Sequence, residues 1–238
     1  MPDFTKIGFF HFGSGDQSDP VGSLRASLLE ASRTARLDES LVVLPEAFNI
    51  KNGYLKGRFD PSISWSSLKA ISLEFKVGLV AGLIVRWRRW SSWRYSCSYL
   101  IDGDVCKRLS CKMSDDRLGH YTASPNRDSP CLHRGVFIGS LICMDATGIN
   151  ENYPNERHNA LLGRFNSSEA TRKVLCVPAH FTEYDTLGVA KHWSSLVPIV
   201  IANSYAHQPS VIRISTDETS CITGFQNSVC TAPFPEMP

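Results

Sequence analysis

The stretch GVFIGSLIC, residues 135–143, is an apolar run that ends at a cysteine. Its length and composition predict a buried β-strand with Cys143 at the carboxyl end. Apolar runs on both sides of it predict further strands at residues 6–12, 41–44, 78–85, 173–177 and 197–202. Two more pairs of segments predict hairpins, 95–102 with 105–112 and 210–215 with 220–225. The intervening segments predict helices at residues 20–37, 65–75, 159–165 and 187–196.

The order of these elements mixes strands joined by hairpins with strands joined by helices. This mixture is typical of an α/β fold in which helices cover the sheets. The 238 residues contain no linker, repeat or low-complexity tract, and their number suits one well-buried domain. We therefore predict a single domain over residues 1–238, with two sheets packed face to face and helices outside.

The composition is that of an ordinary globular protein, with 42% apolar and 20% charged residues. A formal net charge of +2 gives no general affinity for polyanions. The N-terminal apolar run is interrupted by His11 and by glycines, unlike that of a signal peptide. No run approaches the roughly 18 apolar residues that span a membrane. The sequence therefore predicts a cytoplasmic protein without a membrane-spanning segment.

The run RWRRWSSWR, residues 86–94, combines cations and aromatic rings, as platforms for single-stranded nucleic acid do. It lies between two predicted strands, so a hairpin tip or a contact between subunits explains the same composition. The balanced net charge favours these two explanations over nucleic-acid binding.

The eight cysteines show no CxxC pair and no regular framework, which predicts mostly reduced thiols. His133, His158, His192 and His207 have neither HxH nor HxxxH spacing and no cysteine at zinc-ligand distance, so no metal site is predicted. The chain also lacks a phosphate-binding loop and a dinucleotide fingerprint. We therefore expect a protein without a cofactor.

Three residues with useful chemistry stand at the carboxyl ends of predicted strands: Glu46, Lys112 and Cys143. Ligand sites in α/β folds gather at such ends, because the loops there point side chains into one crevice. A cysteine can attack an amide or nitrile carbon, and a carboxylate can exchange protons with it. A lysine can favour the thiolate and stabilise an oxyanion. The set therefore suits covalent hydrolysis of a carbon–nitrogen bond.

Three phrases resemble the motifs of the nitrilase superfamily: VVLPEAF (42–48), SYLIDGDVCKRLSCK (98–112) and GSLICMDATG (139–148). Members of that superfamily have an apolar strand before Pro-Glu, a hairpin leading to a lysine, and an apolar strand that ends in a cysteine with an acidic residue two positions later. That acidic residue is Asp145 here, and we expect it beside the site. Further segments extend the resemblance over nearly the whole chain in the family's order: KIGFFHF (6–12), VLCVPAHF (174–181) and VPIVIANSYA (197–206).

The resemblance implies the αββα sandwich of the nitrilase type and a homodimer or higher homo-oligomer. It also implies a cofactor-free carbon–nitrogen hydrolase of the amidase-like branch, which cleaves a small linear amide through a thioester. In these terms Cys143 is the nucleophile, Glu46 the general base and acid, and Lys112 the electrostatic stabiliser. The loop that holds His180 borders the substrate in this family. We expect His180 to contact substrate or to fix the Cys143 loop, unless it is a polar strand end with only a structural part.

The sequence departs from the family at one position. Eight residues beyond the lysine, many members have Gly-Glu-Tyr, whereas this chain has Gly-His120-Tyr121. We expect His120 and Tyr121 near the substrate, but a histidine cannot supply the fixed negative charge of a glutamate. Three explanations stay open: a substrate that needs a histidine, a compensating acid, or lost activity. The acids that could compensate are Asp115, Asp116 and Asp128.

Three alternatives to the hydrolase also stay open. The same thioester could pass its acyl group to an amine instead of to water. The chain could be an inactive nitrilase-like scaffold that acts through protein contacts. A papain-like pair of Cys143 with His120 or His180 could replace the glutamate mechanism.

Overall fold

In the part of the chain that the structure describes, the apolar runs form two sheets of six strands each. The structure is a computed structural model, and it describes residues 2–12, 19–49, 65–86, 94–113, 128–147, 154–181, 185–205, 207–217, 221–224 and 228–234. The first sheet contains β1 (Lys6–His11), β2 (Ser40–Leu44), β3 (Gly78–Arg86), β4 (Arg94–Asp102) and β5 (Val105–Cys111). The second contains β6 (Cys131–His133), β7 (Val136–Ser140), β8 (Arg172–Ala179), β9 (Ile199–Asn203), β10 (Ser210–Arg213) and β11 (Cys221–Gly224). The last strand, β12 (Ser228–Pro233), returns to the first sheet.

Each sheet has a parallel centre with antiparallel strands beside it. The first sheet has the order β12-β1-β2-β3-β4-β5, and the second has the order β11-β10-β9-β8-β7-β6. Strands β1, β2 and β3 run parallel to one another, and so do β7, β8 and β9. In such sheets the loops after the parallel strands share one edge, where ligand sites form.

Four helices in the described residues cover the outer faces: α1 (Pro20–Thr34), α2 (Trp65–Phe75), α3 (Pro154–Ser167) and α4 (Thr186–Ser194). Helix α1 begins with a proline in its first turn, and the Asp19 side chain accepts a hydrogen bond from the Gly22 amide. Both features stabilise a helix N-terminus, because the first amides of a helix have no partner within it. Helix α4 is capped in the same way by Asp185.

Alternating side chains of each strand enter two different apolar layers. In β2, Leu41 and Val43 point into the layer between the two sheets, whereas Val42 and Leu44 pack with the residues of α1 and α2. The same alternation in β8 divides its residues between the central layer and the layer under α3 and α4. Because a strand's side chains point alternately to its two faces, a sheet buried on both faces needs apolar residues at every position. The αββα sandwich implied by the sequence is therefore confirmed.

The boundaries differ from the sequence prediction at the nucleophile strand. Strand β7 ends at Ser140, although Leu141 and Ile142 continue the apolar run. These two residues leave the sheet but are fully buried in the layer under α3 and α4. Cys143 then opens a short 3₁₀ turn, Cys143–Ala146, so it does not end a strand. Strand β12 was not predicted at all.

A disulfide joins Cys97 on β4 to Cys111 on β5. This pair was not predicted from the sequence. Two cysteines that face each other across a hairpin have no characteristic spacing along the chain. The other six cysteines are free thiols, as the sequence predicted for most of the eight.

The cationic and aromatic run at residues 86–94 lies at a hairpin connection. Arg86 of β3 is paired with Arg94 of antiparallel β4, and residues 87–93 between them lie outside the described residues. Among the described residues, no helix has the length and apolar character needed to cross a membrane.

His11 links the two sheets from inside the sandwich. It is the last residue of β1 and is fully buried, and its Nδ1 lies 2.9 Å from the Ser210 hydroxyl on β10. Burial lowers the pKa of His11 from 6.5 to about 4, because the interior solvates an imidazolium poorly. His11 is therefore neutral in the folded protein at neutral pH.

We expect the fold to lose stability in mild acid through His11. The unfolded chain binds a proton near pH 6.5 and the folded chain only near pH 4, so the stability is fully present above pH 6.5 and falls as the pH drops through this window. A shift of this size corresponds to a loss on the order of 3 kcal/mol in the free energy of unfolding. Urea unfolding at pH 7, 5.5 and 4 measures it. The variant His11→Asn should lose this part of the pH dependence, and an unchanged slope would contradict the assignment.

Candidate active site

Glu46, Lys112 and Cys143 come together at the edge where the parallel strands end. Glu46 follows β2 after a proline, Lys112 follows β5 directly, and Cys143 lies in the turn after β7. The Lys112 ammonium donates to both carboxylate oxygens of Glu46, at 2.9 and 3.2 Å. The Cys143 thiol hydrogen-bonds to the Glu46 side chain. The three residues are 3%, 3% and 5% exposed, so this cluster is shielded from bulk water.

The backbone is strained at Cys143 and at the residue that follows Glu46. Cys143 has a φ of 48° and Ala47, next to Glu46, has a φ of 57°. Side chains other than glycine rarely adopt this left-handed region, which costs of order 1–3 kcal/mol per residue and persists only where surrounding contacts enforce it. Strain of this kind concentrates at functional sites.

Contacts from helices α3 and α4 hold the Cys143 turn in this conformation. The Trp193 indole donates to the Ala146 carbonyl at 2.7 Å, and the His158 ring lies 2.7 Å from the Asp145 carbonyl. Within the turn, the Asp145 amide donates to the Ile142 carbonyl at 3.0 Å. The turn is therefore fixed from α3 and from α4, rather than by β7 alone.

A glycine brings the two sheets together beneath Glu46. A side chain on Gly82 of β3 would place its Cβ 2.6 Å from the Pro178 side chain and 2.8 Å from the Glu46 Cα. Only glycine permits this approach, because real Cβ contacts below 3.0 Å do not occur. The Glu46 amide also donates to the Ala179 carbonyl at the end of β8. The Glu46 turn is thus attached to the second sheet, which carries Cys143.

Ser96 on β4 is part of the cluster, although it was not predicted from the sequence. Its hydroxyl donates to Glu46 Oε1 at 2.9 Å, and its carbonyl accepts from the Lys112 amide at 2.8 Å. Ser96 is fully buried. A hydroxyl facing inward on a strand of otherwise apolar character was the available signal, but Ser98 on the same strand has that property too and bonds to Ser110 instead.

Burial controls the charge of the nucleophile. It raises the pKa of Cys143 to about 12, against the opposing effects of the Lys112 charge and the His180 amide, while Glu46 raises the pKa further. From the sequence, Lys112 was predicted to favour the thiolate. The effect has that sign but is outweighed, because a buried thiolate is poorly solvated. The resting cysteine is a neutral thiol beside a carboxylate that can accept its proton.

His180 contacts Cys143 through its main chain. Its amide hydrogen-bonds to the sulfur, whereas its ring Nδ1 lies 2.7 Å from the Ser204 hydroxyl. Burial and the nearby Lys112 charge lower the pKa of His180, although Glu46 opposes them, so the ring is neutral at pH 7. A papain-like pair would need the ring itself against the thiol, and the contacts described here are the amide with the sulfur and the ring Nδ1 with Ser204.

Asp145 and Asp128 are both bound by one arginine. Asp145 is buried, and its carboxylate accepts hydrogen bonds from the Met113 amide and from Arg157. Asp128 forms a two-pronged pair with the same Arg157. The other residues named in the sequence analysis, His120, Tyr121, Asp115 and Asp116, lie outside the described residues.

Within the described ranges, no cluster of three or more histidine, cysteine or carboxylate residues is arranged to hold a metal ion. The side chains of the candidate site are a thiol, a carboxylate, an ammonium and a serine hydroxyl. Together they can move one proton and stabilise one developing negative charge.

Comparison with known proteins identifies the fold. No family model and no curated protein sequence matches the chain. Among solved structures, an amidase from Nesterenkonia sp. superposes with a TM-score of 0.68 at 15% identity, over 99% of this chain and 92% of that one. A carbon-nitrogen hydrolase from Helicobacter pylori G27 gives 0.70 at 14% identity, over 96% and 88%.

Other structures of the Nesterenkonia enzyme describe its chemistry. One cysteine-to-serine mutant, assigned to the nitrilase superfamily, superposes with a TM-score of 0.69 at 16% identity, over 98% of this chain and 93% of that one. Two glutamate mutants of that amidase show acrylamide, or the acetamide moiety of fluoroacetamide, added covalently to the active-site cysteine. These matches cover nearly the whole of both chains. The chain therefore has the fold of the nitrilase-superfamily amidases over nearly its entire length.

Proposed function

We propose that this chain is a cysteine-dependent hydrolase of small linear amides and that residues 1–238 form one carbon–nitrogen hydrolase domain. The observation that carries the proposal is the buried contact among Cys143, Glu46 and Lys112, where three separate strands end. Burying an ion pair costs desolvation free energy that its attraction need not repay, so stability alone explains this pair poorly and a catalytic use is favoured. The amidase activity named for the Nesterenkonia enzyme, which has the same fold, supports the choice of an amide substrate.

In the first half-reaction, the Cys143 sulfur attacks the amide carbon while Glu46 takes the thiol proton. A carbon–sulfur bond forms, and the carbonyl oxygen becomes an oxyanion that the Lys112 ammonium stabilises. Glu46 then passes its proton to the amide nitrogen, the carbon–nitrogen bond breaks, and ammonia leaves. The product on the protein is a thioester.

In the second half-reaction, water attacks the thioester carbon while Glu46 takes one of its protons. A carbon–oxygen bond forms, the carbon–sulfur bond breaks, and the sulfur recovers its proton from Glu46. The net products are a carboxylic acid and ammonia. Ser96 keeps the carboxylate oriented through both halves, because its hydroxyl can donate to Glu46 whether or not Lys112 has moved to the oxyanion.

The high pKa of the thiol explains why Glu46 is needed. With a pKa of about 12, almost none of the free protein has a thiolate at neutral pH. Deprotonation must then accompany attack, and a neighbouring carboxylate is the group that can do it. This assignment differs from a mechanism in which a cation alone activates the thiol.

The reaction can be tested with a series of aliphatic amides from acetamide to hexanamide and the matching nitriles. We expect equal amounts of ammonia and carboxylic acid from at least one amide and none from the nitriles. Hydroxylamine added to the same reactions tests acyl transfer, because an amine acceptor converts the thioester to a hydroxamate. Hydroxamate formed in preference to acid would favour the acyltransferase, and hydrolysis of nitriles alone would contradict the amidase proposal.

The proposal includes the cytoplasmic location predicted from the sequence and the homodimer implied by the resemblance. Analytical ultracentrifugation measures the second of these directly. A monomer would remove the homodimer from the proposal without touching the chemistry of Cys143, since the three residues of the cluster come from one chain.

A further inference from the structure

Arg157 on α3 contacts three separate segments of the chain. Its Nη1 donates to Asp145, and its Nε and Nη2 donate to the two oxygens of Asp128 at 2.7 and 2.5 Å. Nη2 also donates to the Cys111 carbonyl at 3.1 Å. The side chain is only 8% exposed, so these partners hold the guanidinium from several sides. The fork geometry suits this arrangement, since a planar guanidinium can bind two acceptors at once.

These contacts fall on both neighbours of Lys112. Cys111 immediately precedes Lys112, and its carbonyl is bound by Arg157. Met113 immediately follows Lys112, and its amide donates to Asp145 at 2.8 Å. The peptide groups on either side of the lysine are therefore attached to the same buried ion pair.

The same ion pair is part of the nucleophile turn. Asp145 lies two residues after Cys143 within the 3₁₀ turn. The Asp145–Arg157 contact therefore joins the turn that carries the thiol to the strand end that carries the ammonium.

The charge of Arg157 is fixed over the working range of pH. Burial alone would lower the pKa of Arg157, but hydrogen bonds and charge from Asp128 and Asp145 outweigh it and raise the pKa. The guanidinium therefore stays charged and does not exchange protons. Its hydrogen bonds go to Asp128, Asp145 and the Cys111 carbonyl. We therefore expect its effect on the reaction to pass through these residues.

We infer that Arg157 is a positioning residue for the proposed hydrolase: it sets the place of the Lys112 ammonium relative to the Cys143 sulfur. This inference rests on the proposed function. A displacement of about 1 Å between reacting groups can cost roughly 100-fold in rate, so a rigid link between the two segments has a measurable kinetic value.

The test compares Arg157→Lys and Arg157→Met with two matched controls on the same helix. Lysine keeps the charge but cannot bind two carboxylates and a carbonyl in one plane. The control Arg164→Met removes another arginine of α3, which is exposed and donates to the Asp128 carbonyl. The control Phe165→Leu loosens the packing of α3 without touching the carboxylates.

We expect kcat for the amide that the wild type hydrolyses fastest to fall about 100-fold in both Arg157 variants, with KM changed only a few-fold. The Arg164→Met variant should keep the wild-type kcat. The Phe165→Leu variant should lose thermal stability but keep kcat below its melting temperature. If Arg157→Met does not fold, as judged by circular dichroism, Arg157→Lys and Asp145→Asn carry the test.

Folded Arg157→Lys and Asp145→Asn variants with wild-type kcat would overturn the inference, and so would an equal loss of kcat in Phe165→Leu. In both cases the wild type is active, so the proposed function survives. A wild type that releases no ammonia and forms no covalent adduct at Cys143 would overturn the proposed function and this inference with it.

Discussion

Ammonia release from amides is expected to fall to the uncatalysed rate when Cys143 is replaced with alanine. The proposed reaction passes through a bond to this sulfur, and no other described thiol contacts Glu46 and Lys112. The substitution removes one buried sulfur and leaves the turn's contacts through Ala146 and Asp145 in place. The Cys143→Ala variant should therefore fold and keep a melting temperature close to that of the wild type.

The matched control is Cys106→Ser. Cys106 lies exposed on β5, outside the cluster, so its loss should leave ammonia release unchanged. Residual turnover in folded Cys143→Ala would rule out the covalent mechanism. A loss in Cys106→Ser as large as that in Cys143→Ala would show that the assay reports general damage to the protein.

Replacing Lys112 with methionine is expected to remove both activity and a large part of the stability. The change leaves the Glu46 carboxylate buried at 3% exposure without its ion partner, which typically costs about 3–5 kcal/mol in the free energy of unfolding. It also removes the only cation that the described cluster can offer to the oxyanion. Urea unfolding and ammonia release measure the two effects separately.

The double variant Glu46→Gln with Lys112→Met separates stability from catalysis. A neutral glutamine needs no counter-ion, and the Ser96 hydroxyl can still donate to its oxygen, so most of the lost stability should return. Activity should not return, because both the proton acceptor and the cation are gone. Recovery of both would mean that the ion pair serves the fold alone.

The single variant Glu46→Gln completes the cycle. It leaves the buried Lys112 ammonium without its counter-ion, so it should lose stability as Lys112→Met does. The folded variant should lose roughly 10²- to 10⁴-fold in rate, the usual contribution of general acid–base catalysis. A papain-like mechanism with a histidine base should survive this substitution. Wild-type turnover in Glu46→Gln would therefore favour the histidine pair, with either His180 or His120, which lies outside the described residues, as the base.

Most of the fold could be predicted because buried strands leave a direct mark on the sequence. A strand that is covered on both faces is apolar along most of its length, as in β3 and β8, and such runs stand out against turns. Strand β12 was missed because its residues are only half-buried at the sheet edge and include a proline. The end of β7 was misplaced, since Leu141 and Ile142 are buried against helices and look like strand residues.

The candidate site could be predicted only for residues that follow recognisable strands and match the family's motifs. Glu46, Lys112 and Cys143 each follow a recognisable strand, so their meeting could be inferred from strand ends. Ser96 and Arg157 could not be found in this way. Their roles depend on which segments pack together, and the partners of Arg157 lie 12, 29 and 46 residues away along the chain.

The most direct test of Cys143 as nucleophile is covalent labelling with fluoroacetamide followed by intact-mass measurement and peptide mapping. Fluoride is a poor leaving group, so an ordinary thiol such as exposed Cys106 should not react, whereas a cysteine in a site built for amides should. The reagent is itself an amide, so the test uses Glu46→Gln, which lacks the general base needed to hydrolyse it. The sulfur displaces fluoride from the α-carbon, and the account predicts one acetamide moiety per chain, located on Cys143 and absent when Cys143 is also replaced with serine. A folded Glu46→Gln protein that gains no label, or that gains it at Cys106 with Cys143 unmodified, would contradict it.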